Sequence, residues 1–215
     1  MLYIERMKTL IWDFNGTILD DVAVDIEIEN ILLERRGMPL IPSEDWYREH
    51  FRFPVRDYYD DLGYTFEDET YEDISEQYQE LYSAMCVQAG LHTGVAEKLK
   101  EAHETGYRNV IVSASEQTIL ERQLEDLGII DMFDAIIGID NKLAHSKVQS
   151  AADWMKRDGV RPEDCIYIGD TDHDAETAEA LGIENIYLVT FGHQARHILE
   201  RVCSRVVDTL DEVIL

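Results

Sequence analysis

The chain has 215 residues and a formal net charge of −26, from 45 acidic against 19 basic side chains. That length suits one α/β domain with a modest insertion, and that charge opposes nucleic acid and anionic lipid headgroups over most of the surface. The same field repels a phosphorylated ligand, so a site for one requires a metal ion or a few well-placed cations.

The opening segment, MLYIERMK, lacks the long apolar run of a signal peptide, and no stretch has the roughly 18 consecutive apolar residues that would span a bilayer. Cys86, Cys165 and Cys203 are an odd set without CxxC spacing, which indicates neither a disulfide framework nor a structural zinc site. The expected compartment is the cytoplasm. Residues 9–12 form a short apolar run that predicts a buried strand. From residue 18 to 90 the patterns are helical, near 18–35, 43–49 and 71–85, with no convincing buried strand. Tyr58, Tyr59, Tyr64, Phe66, Tyr71, Tyr78 and Tyr82 in this stretch read as a small helical core, since acidic neighbours oppose base stacking. Beyond residue 95, apolar runs at 109–112, 135–139, 165–168 and 186–189 alternate with helical patterns at 95–105, 117–127, 148–156 and 174–181. Gly106, Gly128, Gly159 and Gly182 stand as helix stops. Such alternation predicts a doubly wound parallel sheet covered on both faces. The expected organisation is a core of residues 1–17 and 91–215 with an inserted all-helical cap at 18–90.

The first chemical constellation is Leu10-Ile11-Trp12-Asp13-Phe14-Asn15-Gly16-Thr17. Asn-Gly is a strong hairpin turn, but a hairpin needs a second strand, and the segment 18–35 has apolar residues at 18, 22 and 26 and at 24, 28, 31 and 32, a helical spacing. The chain therefore leaves the sheet, and Asp13 sits at the C-terminal edge of a strand, where open α/β sheets bind ligands. A second strand ends in acids at Ile166-Tyr167-Ile168-Gly169-Asp170-Thr171-Asp172-His173-Asp174. Clustered carboxylates call for a hard divalent cation, and oxygen-only ligands with room for water suit magnesium.

The pentapeptide Asp13-Phe14-Asn15-Gly16-Thr17 resembles the first motif of the haloacid dehalogenase superfamily, in which Asp-x-Asp-Gly-Thr is commoner. Ser113 closing the strand at 109–112, Lys147 in the loop before a helix, and Gly169-Asp170 followed by Asp174 occur in that family's order. The resemblance implies that Asp13 attacks phosphorus in line to give an aspartyl phosphate. It implies that Ser113 bonds a phosphoryl oxygen and that Lys147 neutralises nucleophile and phosphoryl group. It also implies that magnesium is held by Asp13, the backbone carbonyl of Asn15 and Asp170, with Asp174 bound directly or through water. The implied partner is a small phosphorylated metabolite, and residues 50–56 with 90–95 look similar to cap and hinge segments of phosphoglycolate phosphatase-like members. Asp172 and His173 read as a solvated helix N-terminus, and His145 and His193 have no assigned role. Arg52 and Arg56 read as surface partners of Asp57 and Asp60, with pairing to a substrate carboxylate as the alternative.

Asn15 departs from the family. The usual aspartate protonates the leaving alcohol and later activates water, whereas an amide can only hydrogen-bond. Three readings are open: a magnesium-dependent phosphatase in which Asn15 positions the leaving group or a water; carbon–halogen or carbon–phosphorus hydrolysis; and a protein that binds magnesium and a phosphorylated ligand with little turnover. The absence of lysine between Lys8 and Lys98 opposes Schiff-base chemistry in the cap, and the acids at 170 and 174 argue for magnesium and phosphorus.

Overall fold

A computed structural model describes residues 8–139 and 146–215. In chain order the elements are β1 (Lys8–Trp12), β2 (Leu19–Asp20), α1 (Val22–Arg35), α2 (Glu44–His50), α3 (Val55–Leu62), α4 (Tyr71–Met85), β3 (Gly90–Leu91), α5 (Val95–Glu104), β4 (Tyr107–Glu116) and α6 (Gln117–Asp126). They continue with β5 (Ala135–Ile139), α7 (Lys147–Asp158), β6 (Cys165–Gly169), α8 (Asp172–Ala180), β7 (Ile186–Val189), α9 (Arg196–Leu199) and β8 (Val206–Val207).

Six strands form one parallel sheet in the order β5-β4-β1-β6-β7-β8. Successive side chains along a strand point to opposite faces, and the two hydrophobic clusters divide accordingly. Leu10, Trp12, Ile111, Ile166 and Ile168 pack with Val95 and Leu99 of α5 and Leu120 and Leu124 of α6. Ile11, Val110, Val112 and Tyr167 pack on the other face with Ala151, Trp154 and Met155 of α7 and Ala178 of α8. Leu10, Ile11 and Trp12 are all fully buried, each contributing about 1.5–3 kcal/mol of apolar burial. This is the doubly wound sheet the alternation predicts, and it explains why its strands read as continuous apolar runs.

Between β2 and β3, which pair antiparallel through Leu19 with Leu91 and Asp20 with Gly90, the chain forms α1 to α4. The insertion is helical as expected, apart from this two-residue pair at its base. Tyr58, Tyr59, Tyr64 and Tyr82 are buried there, with Phe66, Tyr71 and Tyr78 packed against them. The Thr70 side chain caps α4 and Asp73 bonds back to it in a capping box. Five labelled elements were not legible as regular structure: β2, β3, α3, α9 and β8. The last two are four and two residues long, too short to show a period.

Chain order places the crevice. From β1 the chain moves outward through β4 to β5, then crosses to β6 on the other side of β1 and moves outward again to β7 and β8. The C-terminal ends of β1 and β6 thus flank a switch point, the usual ligand crevice of open α/β sheets.

Candidate active site

Trp12 pairs with Ile111 of β4 and Ile168 of β6, so Asp13, Ser113 and Asp170 emerge side by side at one sheet edge. The turn after β1 is tight: Phe14 O accepts the backbone N–H groups of Thr17, Ile18 and Leu19. Gly16 adopts φ +69°, and a Cβ there would lie 2.3 Å from Asp170 Oδ2. A Cβ on Gly192 would meet the Asp170 Cβ and carboxylate at the same distance of 2.3 Å. Glycine at both positions is therefore the condition for Asp170 to sit at the crevice floor. Its carboxylate accepts Thr17 Oγ1 at 2.9 Å and His193 N–H at 2.7 Å.

Lys147 is the first residue of α7 and not part of the loop before it, a correction to its expected position. Ser146 supplies the N-cap, its side chain accepting Gln149 N–H at 3.2 Å. From there the buried Lys147 ammonium donates to Asp13 Oδ1 and, at 2.6 Å, to Asp174 Oδ1. Asp174 is saturated with donors: Oδ1 also accepts Tyr167 Oη at 3.3 Å, and Oδ2 accepts the Asp170 and Thr171 amides and Thr171 Oγ1. Although burial pushes the Asp174 carboxyl up, Lys147 and Thr171 hold it below the ordinary carboxylate range. Burial, together with the charges of Asp174 and Asp170, pushes Asp13 well above that range despite Lys147. Burial first and Asp174 next push Asp170 up to about 6. Three carboxylates are thus crowded about one ammonium, and ligand oxygens of Asp13, Asp170 and Asp174 all lie within 4.8 Å of one another. An all-oxygen set short of positive charge fits a hard divalent cation. Ser113 lies where β4 departs from regular pairing, between Val112 and Glu116, and its Oγ accepts Ser115 N–H at 3.1 Å.

A second buried cluster adjoins this one, and no residue pattern assigns it. Asn15 Nδ2 donates to Asp21 Oδ2 and to Tyr82 Oη, both at 2.6 Å, while its Oδ1 accepts Ser115 Oγ at 3.2 Å. Asp21 Oδ1 accepts the Gly16 amide at 2.9 Å and lies 3.3 Å from His193 Nε2. His193 Nδ1 is 2.9 Å from Tyr47 Oη and 3.7 Å from Asp25 Oδ2, and Asp25 Oδ1 accepts Tyr78 Oη at 2.6 Å. Burial opposes the His193 charge, yet Asp21, Asp170 and Asp25 outweigh it and push the imidazole up to about 10. Asp21 is held low against burial by His193 and Asn15, whereas burial and Asp21 push Asp25 up to about 7. Two of these acids were visible as an i, i+4 pair at the start of α1, the spacing that puts them on one face. His193, far along the chain, carried no local signal.

Asp172 does stand at a helix N-terminus, accepting Gln194 Nε2 at 2.9 Å, but His173 stacks on Phe53 of the insertion at 4.7 Å between ring centroids. Tyr78 and Tyr82 likewise do more than fill a helical core, since their hydroxyls reach Asp25 and Asp21. Arg52 pairs with Asp61 at 2.9 Å and donates to the Asp57 carbonyl, and Arg56 lies over the Phe66 ring; the expected pairing with the Asp57 and Asp60 carboxylates is corrected accordingly. His145 lies outside the described residues. The three cysteines are free, and no described helix is long and apolar enough to cross a membrane. A cavity of about 540 Å³ joins Asp13, Ser113, Lys147 and Asp170 to Phe51, Phe53 and Tyr78 of the insertion.

The sequence profile described as Haloacid dehalogenase-like hydrolase matches residues 10–188. The chain is 25% identical to Phosphoglycolate phosphatase 1 of Pseudomonas aeruginosa over 96% of its own length and 78% of that protein. It is also 24% identical to the Tyrosine-protein kinase PtkA of Mycobacterium tuberculosis, over 97% of this chain and 72% of that one. Among solved structures, a haloacid dehalogenase-like hydrolase from Bacteroides fragilis superposes with a TM-score of 0.81 at 23% identity, covering 97% of this chain and 100% of that chain.

Proposed function

Because the chain belongs to the haloacid dehalogenase-like hydrolase family, we propose that it is a magnesium-dependent phosphatase acting on a small phosphorylated metabolite through an aspartyl phosphate on Asp13. The observation that carries this reading is the buried contact of Lys147 with both Asp13 and Asp174 at the switch point, beside Asp170. A carboxylate nucleophile is kept next to its counter-charge, in a crevice with few other cations among the described residues to attract an anion.

An Asp13 oxygen attacks phosphorus, the bond from phosphorus to the ester oxygen breaks, and the alkoxide leaves and takes a proton from solvent. Water then attacks the aspartyl phosphate and loses a proton to solvent, and cleavage of the acyl phosphate bond releases inorganic phosphate and restores the Asp13 carboxylate. The Ser113 hydroxyl proton donates to a phosphoryl oxygen, and Lys147 offsets the approach of two anions. Asp13, Asp170 and the Asn15 carbonyl are the proposed magnesium ligands; the bound ion supplies charge neutralisation between nucleophile and phosphoryl group. With its oxygens already accepting from Lys147, Tyr167 and the Thr171 loop, Asp174 would help hold the ion, directly or through water. Both Asn15 amide donors are engaged with Asp21 and Tyr82, so the leaving group departs without a proton from this residue.

Residues 18–90 act as the cap and residues 1–17 with 91–215 as the core in this reading. Support comes from the bonds between them: Arg48 donates to the Gly192 and Phe191 carbonyls at 2.7 and 2.9 Å. Cytoplasmic action fits three free cysteines. A low-turnover phosphate-binding protein is the second reading, favoured by the engaged amide of Asn15. Hydrolysis of an aryl phosphate with and without magnesium tests both. Magnesium-dependent turnover with trapping of a phosphorylated Asp13 is expected, binding without turnover would leave the second reading, and full turnover in excess chelator would remove magnesium from the proposed mechanism.

A further inference from the structure

We infer that the substrate of this site, read as a phosphatase site, has an extended leaving group whose apolar, uncharged end lies in a second cavity beside the crevice, between α4 and α6. This cavity has a volume of about 470 Å³. Leu19 and Ala89 wall it at the base of the insertion, Val87 just beyond α4, and Ile119 and Leu127 on and after α6. It is continuous with the crevice of about 540 Å³ that holds Asp13, because Ser83, Ile119 and Gln123 line both.

The direction of the leaving group follows from where the insertion is fastened to the core. Toward α2 the two are bonded together: Arg48 donates to the Gly192 and Phe191 carbonyls, Ala195 N–H donates to the Arg48 carbonyl at 3.0 Å, and Gln194 Nε2 donates to the Phe51 carbonyl at 3.2 Å. The stack of Phe53 on His173 closes the same side. Toward α4 and α6 the walls stand apart around the joined cavities. Val87 is 73% and Ile119 39% exposed there, apolar surface that a ligand would remove from water. The charged side chains among the described lining residues, Arg122 and Asp126, are opposite in sign, exposed and 4.0 Å apart, so this wall has no net charge to select an ion.

The inference rests on the phosphatase reading, and one pair of substrates separates the two. Phenyl phosphate and biphenyl-4-yl phosphate expel phenoxides of similar acidity and differ by one uncharged ring, the part that would reach the second cavity. Their kcat/KM is measured with magnesium. The biphenyl-4-yl ester should exceed the phenyl ester by at least about tenfold, equivalent to about 1.4 kcal/mol and at the low end of what a hydrophobic pocket gives for added apolar groups. Ser83 is exposed on α4 where the cavities join, and Ser83→Trp should fill the passage and bring the ratio toward one. Val87→Asp, which places a charge at the far end, should lower the same ratio. A global loss of activity in either variant would move both esters together and leave the ratio as it was. Turnover of phenyl phosphate with the biphenyl-4-yl ester equal or poorer would overturn this inference alone. No turnover of either ester would overturn the phosphatase reading and this inference with it. A ratio unchanged in both variants would overturn the assignment to this cavity, and the wild-type pair stands independently of how either variant folds.

Discussion

Asn15 donates its side-chain amide to the Asp21 carboxylate at 2.6 Å, and Tyr82 donates to the same Asp21 oxygen at 2.9 Å. An aspartate at position 15 would set two carboxylates at that separation inside a buried site, where one must retain a proton or the pair must separate. The identity of residue 15 is thus tied to residue 21. Asn15→Asp alone should destabilise the fold and give little gain in alkyl phosphate turnover. Asn15→Asp combined with Asp21→Asn restores the donor and acceptor in reversed order. The pair should raise alkyl phosphate turnover by about ten- to a hundredfold, the lower range of general acid–base contributions. Rate series against phosphates of graded leaving-group pKa check this. Equal slopes for wild type and the double variant would mean that another residue supplies the proton.

Lys147 is the ammonium between Asp13 and Asp174. Lys147→Met should lower stability by about 3–5 kcal/mol, the cost of leaving buried charge without its partner, and turnover by at least about a hundredfold. Magnesium should restore part of the lost stability, since a divalent cation satisfies the same carboxylates. Denaturant titrations with and without magnesium measure both effects; a variant as stable as wild type in chelator would contradict the crowding argument.

Asp13→Asn removes the nucleophile and also one of three crowded acids. Since burial already pushes the Asp13 carboxyl up, the amide should leave the melting temperature unchanged or higher while turnover falls below about a tenth. Retention of more than that would remove Asp13 from the proposed role. In wild type, chelation should abolish hydrolysis and calcium should not restore it, because its larger, looser coordination misplaces the in-line geometry.

Glu29 lies in the interior of the helical insertion, 4% exposed, and its Oε2 has no hydrogen-bond partner among the described residues. Burial pushes its carboxyl from 4.5 up to about 8. Below pH 4.5 the group is neutral in both folded and unfolded chains. Between pH 4.5 and about 8 the unfolded chain has released a proton that the folded chain retains, so this group lowers stability as pH rises, with the loss complete above about 8. Glu29→Gln should remove that slope and stabilise the protein at pH 8.5 by on the order of 5 kcal/mol. Urea unfolding of both proteins across this range is the measurement, and parallel pH profiles would show that Glu29 is charged in the fold at neutral pH.

The parallel sheet was legible because strands buried on both faces must be continuously apolar, and β1, β5, β6 and β7 fall within one residue of the runs at 9–12, 135–139, 165–168 and 186–189. Six residues lining the crevice were named from motifs local to strand ends and a helix start: Asp13, Asn15, Ser113, Lys147, Asp170 and Asp174. Whether they meet was not legible. That is decided by the order of β4, β1 and β6, which brings Lys147 to Asp13 across 134 positions and Thr17 to Asp170 across 153. The second cluster is assembled by the tertiary structure, its one local signal being the i, i+4 spacing of Asp21 and Asp25. Local sequence carries periodicity, caps and turns, whereas the charge state of Asp21, Asp25 and His193 depends on which groups share a buried volume. Only folding sets that volume: it surrounds Asn15 with Asp21, Tyr82 and Ser115, and so decides what an amide does where the family has an acid.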